Sequence, residues 1–417
     1  MNWWLVLLNL MVLGAAIWQF SKYQSKNELY RYFWAGYLWK LMLGLLMGYW
    51  YAQYLGGGDT WTYFEDASTL ARSAAKHPAG YLQSFFKKGV DSWILPQLGT
   101  AGEPRALFMV KLLSVFAIFT ASNYWLMSVY LSTLSFMGIW LVAARISESY
   151  PGSHKAAAWA FLFMPSVIFW SSGISKESVF MGAWGFMVSY SWPYFKNWQP
   201  PHLAKVLVLV LLVYLMYRLK YYYMAVILPV GLTSLLIYQW NPRERHFLFA
   251  WIGVFLAVVV VASWLHPNLY PHHILEVIKT NAGEIALKSS PQALIKYQDH
   301  QNPLIWSFIN FPKAFFSGLL RPYWGDWAGI WQNLAIVENG LLWILGLGSL
   351  SSIRKGQFDS KKMLPVIIYI AVMAAFLALA TPNLGTLSRY KVVFMPVLVY
   401  ILLFRNPWWK KLEDLLP

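Results

Sequence analysis

Residues 247–265 read FLFAWIGVFLAVVVVASWL, an apolar run without a single charged side chain. A helix rises 1.5 Å per residue, so this stretch is long enough to cross the roughly 30 Å hydrocarbon layer of a bilayer. Runs of roughly 17 or more such residues recur along almost the whole chain. The 417 residues are 58% hydrophobic, 18% aromatic and only 12% charged, which is more apolar surface than a soluble fold of this length can cover. Lipid is therefore the expected solvent. The strict alternation of a membrane β-barrel is absent, and the sequence predicts an all-α, polytopic transmembrane helical protein.

Composition also narrows the chemistry. There is no cysteine, which removes disulfides, thiol nucleophiles and thiolate metal sites. The net charge of +16 is spread through short turns between apolar runs, so membrane topology accounts for it and a nucleic-acid partner is not expected. Phosphate-binding glycine loops, nucleophile elbows and zinc motifs are missing, as is any His-x-x-x-His spacing. The first apolar stretch, 2–20, has neither a basic leader nor a small-residue cleavage site and reads as a retained helix.

About eleven spans are expected, near 3–20, 32–54, 122–145, 156–173, 178–195, 204–219, 222–240, 247–265, 330–352, 363–381 and 389–405. They form a single membrane domain over 1–417: two spans in 1–54, a loop with interfacial helices in 55–121, six spans in 122–265, a second loop in 266–329, and three spans with a short tail in 330–417. Six basic turns fall on one side of this arrangement: Lys22/Lys26/Arg31, Arg145/Lys155, Lys196/Lys205, Arg243/Arg245, Arg354/Lys355/Lys361/Lys362 and Arg405/Lys410/Lys411. The positive-inside rule makes that side cytoplasmic. The parity requires 106–121, which contains Lys111, to lie in the interface or to re-enter, and 303–320, with Pro312 and Lys313, reads the same way. The expected setting is the bacterial inner (plasma) membrane, multi-pass, with the two long loops facing the periplasm or exterior. Loops of that length without a domain of their own are usually functional.

Most carboxylates fall on the exterior side, and five separate segments deliver charged or aromatic polar groups to it. The strongest is Gly56-Gly57-Gly58-Asp59-Thr60-Trp61-Thr62-Tyr63-Phe64-Glu65-Asp66. Its glycines allow a sharp turn out of the membrane, and Asp59 or Thr60 can cap the helix that follows. Asp59, Tyr63 and Asp66 are spaced to share one helix face; a glycine cap followed by a plain amphipathic helix uses the same residues. The turn 169–178 carries Lys176 and Glu177, which need water, headgroups or a polar cavity. Tyr217–Tyr223 interleaves Arg218 and Lys220 with tyrosines, suiting a phosphate and a sugar ring or, equally, an interfacial aromatic belt. Arg321 opens an Arg-Pro-Tyr-Trp-Gly-Asp segment, and Glu338 lies inside an apolar run, where a carboxylate needs a partner. The turn 381–391 adds Asn383 and Arg389. Lys40 sits within the second span.

The Gly58-Asp59-x-x-x-Tyr63 setting, just beyond an early membrane helix and ahead of surface helices, resembles the first exterior loop of GT-C-type membrane glycosyltransferases. That superfamily includes the protein O-mannosyltransferases and the aminoarabinose lipid A transferases. Lys176-Glu177 and the segment from Asn383 to Arg389 add weaker likeness. The resemblance implies a lipid-linked sugar donor of the polyprenyl-phosphate type, an acceptor that is glycan, lipid or protein, and an inverting displacement on the non-cytoplasmic face. In such a site Asp59 would be the base, with Glu65 and Asp66 as alternatives, because Asp59-Thr60 stands where many members have Asp-Glu and the first helix is additional. Arg218, Lys220, Arg321 or Arg389 would neutralise the phosphate. Tyr63, Lys176, Glu177, Glu338 and Asn383 complete the expected substrate-binding set. No cofactor is certain; a divalent cation held by Asp59 with Asp66 or Glu177 is an open alternative. A lipid-linked glycan polymerase or ligase and a membrane transporter or flippase are the competing functions.

Overall fold

The computed structural model describes residues 3–87, 89–91, 94–196, 201–265, 269–326, 330–354 and 360–413. Lys355 of the fifth basic turn, and residues 88, 92–93, 266–268 and 327–329 of the two long loops, lie outside them. The described residues are helical, with a single isolated bridge between Leu294 and Asn383 in place of any sheet. Among the described residues, four helices are long and apolar enough to cross a membrane: Trp3–Gln24, Tyr124–Ser149, Phe247–Trp264 and Met363–Ala380. A fifth candidate, Leu384–Val393 with Met395–Leu403, is bent by 69°, so the run expected at 389–405 is not a straight span. The chain separates into two compact units, residues 1–192 with 201–221 and residues 193–200 with 222–417.

The first unit holds α1 (Trp3–Gln24), α2 (Phe33–Tyr54), α3 (Gly58–Lys76), α4 (Pro78–Phe86), α5 (Pro104–Phe119), α6 (Tyr124–Ser149), α7 (His154–Ala158), α8 (Pro165–Trp170), most of α9 (Lys176–Lys196) and the first part of α10 (Leu203–Trp240). The run expected as one span at 156–173 is broken. After α7 the backbone passes through a π-helical turn, Trp159–Phe163, and restarts at Pro165. Proline removes one ladder donor and blocks helical geometry in the residue before it, and Met164 is extended accordingly (ψ 116°). Helix α10 likewise breaks at Lys220 (φ −149°, ψ 73°).

Close helix contacts in this unit depend on missing side chains. A Cβ on Gly138 of α6 would lie 2.2 Å from the Gly182 carbonyl oxygen of α9, and one on Gly185 would lie 2.1 Å from that of Gly138. Small residues let backbones approach where apolar burial gives no preference for protein over lipid. Polar residues complete the adhesion. Asn9, buried in the apolar α1, donates to the Phe119 carbonyl (3.1 Å) and accepts from the Tyr130 hydroxyl (2.8 Å).

Buried lysines recur at the ends of helices, where carbonyls lack intrahelical partners. Lys40, fully buried in α2, donates to the carbonyl and hydroxyl of Ser171 just after α8 (2.8 and 2.7 Å). Lys111 of α5 gathers the carbonyls of Ser84 in the last turn of α4 and of Lys87 and Gly89 just beyond it (2.6, 2.9 and 2.8 Å). Each ammonium thus completes a broken or terminated helix from a neighbouring one.

The second unit contains the rest of α10, then α11 (Phe247–Leu265), α12 (Pro271–Leu287), α13 (Pro303–Leu320), α14 (Ile330–Arg354), α15 (Ser360–Ala380), α16 (Leu384–Tyr390), α17 (Met395–Leu403) and α18 (Pro407–Glu413). Its centre is α13 lying against α15, where a Cβ on Gly318 would fall 2.1 Å from the Ala374 carbonyl oxygen. Lys391, 2% exposed, repeats the lysine device by donating to the carbonyls of Leu319 and Arg321 at the end of α13 (3.3 and 2.5 Å).

Candidate functional site

The glycine run produces the turn between α2 and α3. Gly56, Gly57 and Gly58 all have positive φ (59°, 90° and 48°), a region costly for residues with a Cβ. The Gly57 amide donates to the Tyr51 carbonyl (2.8 Å), and Gly57 occupies the N-cap of α3. The expected side-chain cap does not form. Thr60 is drawn into the core, its hydroxyl 2.7 Å from that of Tyr124, and Asp59 is already inside the first helical turn. Asp59 is exposed there, at the end of the helix that favours negative charge.

The three carboxylates of this segment have different surroundings. Asp66 is 5% exposed and accepts from the Gly99 amide (3.0 Å), the Thr100 amide (2.9 Å) and the Thr100 hydroxyl (2.6 Å), which fixes the loop before α5. Glu65 is exposed and plays no part in the charge cluster around Lys176. Asp59 does.

Lys176, at the start of α9, lies over the ring of buried Tyr63 (4.9 Å to its centre). Burial pushes its pKa below the ordinary lysine value, while Asp59, then Glu177 and Glu103, pull it up and Arg105 pushes it down. Charges from α3, from the lead into α5 and from α9 therefore meet at one ammonium. Glu177 is itself paired with Lys220 at the break in α10 (2.6 Å). Ser171 through Ser175 are buried, so the 169–178 turn is packed inside the unit. Arg105 sits over Tyr221 (5.4 Å). Arg218 is held beside Phe108 (4.5 Å) and donates to the Tyr214 hydroxyl (2.7 Å).

The remaining predicted residues belong to the second unit. The Arg321 guanidinium grips Asp326, with Nε donating at 2.8 Å and Nη2 to the other oxygen. This hydrogen bond raises the Arg321 pKa further. Glu338, on α14, acts electrostatically on Lys391. Asn383 caps α16 by accepting from the Thr386 amide (3.0 Å) and donates to Ser289 (2.9 Å). Arg389 lies in the last turn of α16. Among the described residues, no group of three or more His, Cys, Asp or Glu side chains is placed to hold a metal ion. Asp66 and Glu177, the suggested co-ligands of Asp59, are engaged by protein donors.

No known protein family, curated protein or solved structure matches this chain. The residues themselves therefore carry the functional reading. Sequence inspection singled out Asp59, Tyr63, Lys176, Glu177 and Lys220 but passed over Glu103 and Arg105. The available signal was Glu103-Pro104-Arg105, a proline helix start flanked by opposite charges.

Proposed function

We propose that this chain is a polytopic membrane glycosyltransferase with about eleven spans, its Asp59 site on the non-cytoplasmic face of a bacterial plasma membrane. It transfers a sugar from a polyprenyl-phosphate-type donor to an acceptor hydroxyl. The carrying observation is the meeting of Asp59, Glu103, Arg105 and Glu177 around the half-buried Lys176, with Asp59 exposed. The exposed carboxylate suits a base. The neighbouring cations Lys176 and Arg105 suit a phosphate leaving group, and the ring of Tyr221 suits a sugar face.

In this reaction the acceptor oxygen gives its proton to Asp59 and forms the new bond to the anomeric carbon. The bond from that carbon to the phosphate oxygen breaks, and its electron pair leaves with the phosphate. Attack from the opposite side inverts the configuration. Asp66 is a poor candidate beside Asp59, because it is buried and its oxygens already accept three hydrogen bonds from Gly99 and Thr100. The basic-turn asymmetry supports the orientation.

The test is release of polyprenyl phosphate from synthetic polyprenyl-phosphoryl sugars by membranes containing the full chain. The Asp59→Asn protein should fold normally and lose about 10²–10⁴ in rate. Turnover within about threefold of the original would remove Asp59 as base. Absence of turnover with a panel of donors and acceptors would remove the transferase reading. A transporter is the second reading, favoured by the broken helix at 159–165 and the buried Lys40 beside it. It predicts that labelled lipid-linked sugar crosses proteoliposomes chemically unchanged.

A further inference from the structure

In the first unit, the first two basic turns of the chain meet at a histidine. An N–H group of Arg31 is bonded to Nε2 of His154, and Oε2 of Glu28 lies 3.2 Å from Nδ1, close enough for a charge interaction though not aligned as a hydrogen bond. The first contact fixes the state of the ring. A guanidinium keeps its protons and can only donate, so Nε2 has to offer its lone pair. The imidazole is therefore neutral, with its proton on Nδ1 toward the carboxylate. The ring is partly exposed, so water can deliver a second proton.

This contact is the first of four between the same two stretches of chain. One stretch is the helical turn Glu28–Tyr32 and the α2 helix that follows it; the other is α7, the π-helical turn and α8. Tyr32 meets Phe163 edge-on (6.1 Å between ring centres), a Cβ on Gly36 would lie 3.1 Å from that of Leu162, and Lys40 donates to Ser171. The second stretch has an irregular backbone ladder at its break, and these side chains hold it against α2.

We propose that Arg31 and His154 form a pH-sensitive latch on the side of the membrane that the basic turns assign to the cytoplasm. A proton taken up at Nε2 removes the acceptor, sets two cations face to face and releases the start of the broken helix. Histidine changes charge between about pH 5 and 8, whereas carboxylates, lysine, arginine and tyrosine ordinarily do not. The groups of those kinds around the ring are Glu28, Tyr30, Arg31 and Tyr32 on the helical turn, Arg145, Glu148 and Tyr150 at the end of α6, and Lys155 on α7. The π-helical turn carries no titratable side chain. Arg145 and Glu148 are paired with each other (3.1 Å), and Glu148 also accepts from Asn27 (3.0 Å). Glu28 faces Nδ1–H in either form of the ring, so the difference between the two forms falls on Arg31. Asn27 keeps the helical turn tied to the Ala144 carbonyl of α6 (3.2 Å), so the opening is confined to α7 and the break. The latch does not require Asp59 to act as a base.

The test uses the full chain in phosphatidylcholine nanodiscs between about pH 8 and 5. Nitrogen NMR of histidine-labelled protein reads the tautomer, and His154→Gln identifies the resonance by its loss. At the upper pH, His154 should carry its proton on Nδ1 and leave Nε2 bare; acidification should protonate Nε2. Hydrogen exchange of residues 154–163, corrected for its intrinsic pH dependence, should lose about three- to tenfold in protection over the same range, with the middle of α6 unchanged. His154→Gln should abolish that dependence. Arg31→Met, which lacks the donor, should abolish it as well and serves if the first variant does not fold. A proton on Nε2 at the upper pH, unchanged protection in the original protein, or the same loss in either folded variant would each overturn the latch.

Discussion

The Nζ of Lys220 lies 2.6 Å from Oε1 of Glu177, with the two side chains 3% and 0% exposed. The pair joins the first turn of α9 to the residue where α10 breaks. Removing one partner of such a pair leaves an uncompensated charge, at a cost of about 3–5 kcal/mol. Glu177→Gln should therefore unfold at markedly lower denaturant concentration. Glu177→Gln combined with Lys220→Met should recover much of the loss. If the double variant is no more stable than the single one, the pair is not the source of the effect.

Asp66 and Asp59 should separate cleanly by substitution. Asp66→Asn places an amide where two N–H groups and a hydroxyl now donate, and should lower stability by about 1.5–3 kcal/mol. Asp59→Asn, at an exposed position, should leave the unfolding temperature nearly unchanged. Thermal unfolding of the two purified proteins checks this without any substrate, and equal stabilities would contradict the buried loop anchor.

Lys176 gives a pH-dependent expectation. Burial lowers its pKa in the folded protein and Asp59 opposes that shift. The unfolded chain thus binds the proton more tightly, and the contribution of this group to stability rises with pH between its lowered folded value and about 10.4, the free-lysine value. Asp59→Asn removes an opposing charge, so the Lys176 pKa should fall further. Labelling of Lys176 by an amine-reactive reagent should then begin at lower pH in the variant; a shift to higher pH would mean the two groups do not face each other.

The Gly138 crossing offers a test of the helix packing. An alanine there would bring its Cβ to 2.2 Å from a backbone oxygen, and backbone cannot rotate away as a side chain can. Gly138→Ala should sharply reduce the yield of folded protein. Gly14→Ala, in α1 with nothing within 4 Å of the added carbon, should not. Fluorescence-detected size-exclusion chromatography would compare the two.

Much of the fold was written locally. The apolar runs specify helices, because a helix closes its backbone hydrogen bonds within the run and needs no polar partner from its surroundings. The Gly56-Gly57-Gly58 turn and the charged start of α3 were equally legible, since both depend on neighbours in sequence. The role of Asp66 was not, because its donors are Gly99 and Thr100. Nor was the break at 159–165, where a hydropathy window sees one continuous apolar run.

The sequence by itself determined that this protein is helical, that its apolar runs suit a membrane, and that Asp59 would emerge at the head of a helix behind three glycines. Only the tertiary structure decided which charges meet. Asp59, Glu103, Arg105 and Lys176 come from three separated segments, and Asp66 takes its donors from Gly99 and Thr100. Helix propensity and hydropathy are properties of neighbouring residues, whereas the electrostatic environment of a side chain depends on distances that exist only after helices pack.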